Sequence, residues 1–117
     1  MMLLVHIDAD SGPARAGTAG PVLATVNVTD LALNAVQGLD QTNFAIRAVY
    51  ISTKPGQPEP ATFTDPTEDP AGVYSFSLFR NLGTESDVWD AGEFVFAIEV
   101  RRSGDSGRTL LSVQIKP

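Results

Sequence analysis

Val73-Tyr74-Ser75-Phe76-Ser77-Leu78, Glu93-Phe94-Val95-Phe96-Ala97-Ile98-Glu99-Val100 and Thr109-Leu110-Leu111-Ser112-Val113-Gln114-Ile115 follow one another in the second half of the chain, separated by turn residues. Alternation of apolar and polar residues with period two sends successive side chains to opposite faces, so each segment buries one face of a β-sheet. Between the last two, Ser103-Gly104-Asp105-Ser106-Gly107 reads as a hairpin turn, its glycines placed where a positive φ is cheap.

Earlier segments carry the same period. Leu3, Val5 and Ile7 alternate with Leu4, His6 and Asp8 in a first strand, and Val22, Ala24, Val26 and Val28 share a face in a second, ended by Thr29-Asp30. Phe44, Ile46, Ala48 and Tyr50 oppose Ala45, Arg47, Val49 and Ile51 in a third, apolar enough on both faces to be central. Residues 11–21, rich in Gly and Pro, read as a loop. Residues 31–40 read as a loop with a short turn, because Asn34, Gly38 and Asp40 break any helical pattern. Lys54 to Pro60 holds three prolines, none able to donate to a ladder, and reads as an exposed connection before a short strand at 61–64. Asp65 to Gly72 is a second proline-punctuated turn, and 81–91 is a longer link. The expectation is an all-β sandwich of about seven antiparallel strands, with residues 1–117 forming a single domain.

Composition narrows the function. Hydrophobic residues make up 43% and charged residues 19% of 117, enough for a core without metal or disulfides. A net charge of −6 disfavours nucleic acid and anionic membrane surfaces as partners, because both demand a basic patch. The absence of cysteine removes disulfides, thiolate metal sites and cysteine nucleophiles. The opening run Met1 to Val5 is too short for a secretory signal or a span of about 20 apolar residues. As written, the chain is expected in the cytoplasm; loss of a leader would place it outside the cell or at its surface.

Several pieces resemble bacterial immunoglobulin-like modules. Thr25-Val26-Asn27-Val28-Thr29-Asp30, then Val36-Gln37-Gly38-Leu39, then Asn43-Phe44-Ala45-Ile46 is similar to that group's strand ending in Asp, V-x-G-L turn and aromatic-led strand. Gly72-Val73-Tyr74-Ser75-Phe76-Ser77-Leu78 and Trp89-Asp90-Ala91-Gly92-Glu93-Phe94-Val95-Phe96 resemble its G-x-Y-x-F and W-x-x-G-x-Y-x-F pieces. The resemblance covers roughly residues 20–117 and implies an immunoglobulin-like sandwich that binds or spaces and does not catalyse. Phe94 stands where many relatives place a corner tyrosine, and the cysteine pair of antibody domains is missing.

The chemistry-bearing clusters have plainer readings. His6, Asp8 and Asp10 share one strand face and supply three donors for a cation, yet a fourth ligand and supporting shell are missing, and an edge strand has a polar outer face anyway. Asp65-Pro66-Thr67-Glu68-Asp69 offers oxygen donors without the dense acid pattern of calcium loops. Trp89 reads as a packing residue at one end of the sandwich rather than a platform for a sugar or partner, Asn27-Val28-Thr29 as a chance sequon, and Arg101, Arg102 and Arg108 as a basic spot paired with nearby acids. No catalytic, cofactor-binding or metal-binding residues and no cofactor are therefore expected. The expected activity is a non-enzymatic protein-interaction or assembly role, with a protein partner or self-association through an edge strand. An extracellular carbohydrate-binding or adhesion module is the alternative.

Overall fold

The alternating segments are strands in a computed structural model that describes residues 3–8, 16–17, 21–52, 56, 59–80 and 88–117. In chain order they are β1 (Leu3–Asp8), β2 (Val22–Asp30), β3 (Phe44–Ile51), β4 (Glu59–Phe63), β5 (Thr67–Glu68), β6 (Val73–Arg80), β7 (Gly92–Arg102) and β8 (Asp105–Ile115), with a 3-10 turn at Gln41–Asn43. They form two antiparallel sheets packed as a β-sandwich. One runs β1-β2-β6 and continues into β4, and the other runs β3-β7-β8. No helix among the described residues is long and apolar enough to cross a membrane.

The inner faces are those the alternation predicts. Val22, Ala24, Val26 and Val28 of β2 and Tyr74, Phe76 and Leu78 of β6 face Phe44, Ile46 and Ala48 of β3 and Phe94, Phe96, Ile98 and Val100 of β7. Leu111, Val113 and Ile115 of β8 complete the core. Aromatic edges lock the two sheets together: Phe44 meets Tyr74 and Phe76 with ring centroids 5.7 and 5.8 Å apart.

Four expectations are corrected. In β3 the register shifts between Ala48 and Tyr50, and this bulge reverses the alternation, so Ile51 is buried while Tyr50 faces solvent. Pro60 is not in an exposed connection but in β4, opposite Arg47. The ladder tolerates it because β4 touches β3 over Glu59 and Pro60 only, then crosses to the other sheet and pairs Ala61–Phe63 with β6. The turn at 65–72 contains the two-residue β5, paired with Tyr74 and Ser75. The last hairpin turn is shorter than 103–107: Ser103 (φ 51°) and Gly104 (φ 86°) suffice, both with the positive φ of a type I′ turn, and Asp105 already pairs with Arg102. The expected loop at 11–21 and link at 81–91 fall mostly outside the described residues, as do Met1 and Met2.

Candidate functional site

The β2–β3 connection and the β7–β8 hairpin turn meet at one end of the sandwich. Arg102 donates from Nη1 to the Gln37 carbonyl at 2.6 Å, and Asn43 donates from Nδ2 to the Arg101 carbonyl at 2.9 Å. Between them lies a concavity of about 430 Å³, with Asp30, Ala35 and Val36 on one side and Arg102, Ser103 and Asp105 on the other.

Asp30 builds the rim of this concavity. Its Oδ1 accepts the backbone N–H of Ala32 at 2.8 Å and of Asn34 at 3.0 Å, while its own backbone bonds Leu33 and Asn34 at 3.0 Å each. This Asx-type closure ties residues 30–34 into a turn through four hydrogen bonds. The turn holds Leu31 and Leu33 outward, 62% and 70% exposed, and Leu33 has a φ of 64°. Leucine gains nothing locally from a left-handed conformation that costs about 1–2 kcal/mol. Strain of this kind gathers where a segment must present itself to something else.

Behind the turn, Tyr74 fixes the rest of the β2–β3 connection. Its hydroxyl donates to the Val36 carbonyl at 2.6 Å and accepts the Leu39 N–H at 3.2 Å, and burial of the ring raises the phenol pKa. This tether does for β6 what a corner tyrosine does elsewhere, while Phe94 packs in the core. The glutamate of β5 adds a second tie. Glu68 accepts the N–H of Gly72 at 2.8 Å and of Gly38 at 3.1 Å, and these bonds hold its carboxyl below the ordinary glutamate range.

β1 sets His6 opposite Asn27 and Asp8 opposite Thr25, and Asp10 lies outside the described residues. Asn27 lies within β2, between β1 and β6. Asp65 accepts the Gln41 N–H at 3.0 Å, so both it and Glu68 act as ties within the fold. No cluster of three or more His, Asp or Glu suited to a metal ion occurs among the described residues. Trp89 is buried, its ring edge-to-face on Phe94 with centroids 5.1 Å apart. Arg101 and Arg108 converge on Glu99 at 2.6 and 3.0 Å; Arg108 first, then Arg101, lowers that carboxyl's pKa. Leu31, Leu33 and the Tyr74 tether escaped the sequence reading. A leucine pair directly after the loop-forming Asp30 was the available signal.

No family model matches this chain, and no curated protein matches it. Among solved structures it is similar to the crystal structure of MtrC from Shewanella baltica OS185, with a TM-score of 0.54 and 16% identity. The match covers 99% of this chain and 22% of that one, so this chain spans about a fifth of that protein's length. Identity this low shows a shared fold and nothing more.

Proposed function

We propose that this chain is a non-enzymatic interaction module of the immunoglobulin-like type, gripping a protein partner with the loop end around Leu31 and Leu33. The strand order supports that type: β1-β2-β6-β4 against β3-β7-β8 follows the ABED and CFG sheets of immunoglobulin domains, whose loops at one end carry recognition. The observation that carries the reading is the bonded turn Asp30–Asn34, which holds two leucines in solvent with one of them strained. A rigid apolar projection loses little entropy on docking and supplies the desolvated anchor that interfaces need. A protein partner is favoured over a carbohydrate because the groups this turn presents are aliphatic leucines, while Trp89, the candidate platform for a sugar, is buried.

The test is affinity capture from an extract of the source cells with three immobilised forms: the natural chain, a Leu31→Ser/Leu33→Asn variant, and a Leu23→Ser control. Leu23 is also exposed but lies on the outer face of β2. A protein held by the natural chain and the control but lost from the loop variant is the expected result. A captured set that does not change between the three overturns the assignment.

A further inference from the structure

The outer face of the β3-β7-β8 sheet carries a basic, apolar-floored depression on an acidic protein. Register places Ala45, Glu99 and Arg108 in one cross-strand row and Arg47, Ala97 and Leu110 in the next. The two alanines leave a shallow hollow of about 500 Å³, bordered by Val49, Leu110, Arg47 and Arg108. Arg47 is exposed and has no charged partner among the described residues. Arg101 and Arg108 share the single carboxylate of Glu99. The two rows with Arg101 beside them thus hold three guanidiniums against one acid, on a chain whose net charge is −6. Such a patch selects a negatively charged occupant.

We propose that this hollow docks the acidic turn at residues 65–69 of a second copy of the chain. From Pro55 to Phe79 the sequence has four acids, Glu59, Asp65, Glu68 and Asp69, and no lysine or arginine. Asp65 and Asp69 are exposed, and the turn between them is held in shape by the Gln41 bond to Asp65 and by the Gly38 and Gly72 bonds to Glu68. A turn already fixed in shape is a low-entropy ligand. Its carboxylates match Arg47 and Arg108 in charge, and Pro66 lies between them as an apolar filler. The turn belongs to the edge of the first sheet and the hollow to the outside of the second. The contact is therefore head-to-tail, each bound pair leaves one patch of each kind free, and copies add in series.

Sedimentation of the purified full chain tests this from micromolar to millimolar concentration. The expected result is a weight-average mass that climbs above the 12.4 kDa monomer at low salt and returns to it when salt screens the charges. Arg47→Glu alone, and Arg47→Glu/Arg108→Glu, should stay monomeric, as should Asp65→Lys/Asp69→Lys. An equal mixture of the Arg47→Glu/Arg108→Glu and Asp65→Lys/Asp69→Lys proteins should form a one-to-one complex, because the first retains a native acidic turn and the second a native basic face. Circular dichroism matching the natural chain confirms that each variant is folded; the single Arg47→Glu variant, which breaks no bond among the described residues, keeps the test decisive should a double variant unfold. A natural chain that is monomeric throughout, association indifferent to salt, or a mixture that forms no complex overturns the proposal. An acidic segment of an unrelated protein as the true occupant would give the first of these outcomes.

Discussion

Arg80 occupies a position that apolar residues fill elsewhere on the inner face of β6. Its side chain is 1% exposed, yet Nε reaches Glu59 and Nη1 reaches Asp90, each at 2.9 Å, and its carbon lies 5.2 Å from the centre of the Phe94 ring. Burial disfavours the charge, but the two carboxylates more than offset it and leave the guanidinium pKa raised. Nη2 is buried without a hydrogen-bond partner among the described residues. The balance is fragile, because a desolvated charge stabilises only while its partners stay in place. Glu59→Ala, which removes the more buried of the two carboxylates and leaves the guanidinium to Asp90 alone, is expected to destabilise the fold by about 3 kcal/mol. Replacing both Arg80 and Glu59 with methionine removes the charge along with its buried partner and leaves only the more exposed Asp90, which water can solvate, so it should cost at least about 1 kcal/mol less than the single change. Guanidinium unfolding midpoints of the two variants check that order; a double variant less stable than Glu59→Ala contradicts it.

Among the connecting elements, the turn 30–34 and the tie at Glu68 make opposite bargains. Leu33 holds a left-handed φ that asparagine accepts readily. Leu33→Asn should therefore raise stability by about 1 kcal/mol, seen as a higher melting temperature, even as it removes the proposed anchor. An unchanged or lower melting temperature would mean that the leucine is not strained. Glu68 instead contributes to the fold. Its carboxyl titrates lower in the folded chain than in the unfolded one, so its contribution is full above the ordinary glutamate value and is lost as pH falls through the depressed folded one. Glu68→Gln should thus melt below the natural chain at neutral pH, with the gap closing as the solution is acidified below the carboxylate range. β6, β7 and most of β8 were legible because period two is a property of each strand alone. The strand at 61–63 was legible too, but the first two residues of β4 and all of β5 were hidden, since Glu59, Pro60 and the pair Thr67–Glu68 become strand only by pairing with β3 and β6. The candidate site was hidden for the same reason: apolar spacing does not tell an exposed Leu31 from a buried Val36.

Across the molecule, charge is not spread evenly: the sequence already showed a basic spot at Arg101, Arg102 and Arg108, and the β3–β7 register adds Arg47 beside residues fifty and more positions away. The same long-range pairing governs how the fold comes apart. β4 gives its first two residues to one sheet and its last three to the other, and the Arg80 cluster ties that crossover to residue 90, just before β7. Neither sheet can release its inner face without exposing the other, so the sandwich should unfold as one unit. The single tryptophan makes this measurable. Trp89 packs on Phe94 and Phe96 of the second sheet, so its emission reports that sheet's core, whereas far-ultraviolet dichroism reports strands in both. The two signals should trace one transition in denaturant, with the same midpoint and slope. A fluorescence change that precedes the loss of strand signal would show that β7 and β8 part first, and that the β4 crossover does not couple the sheets.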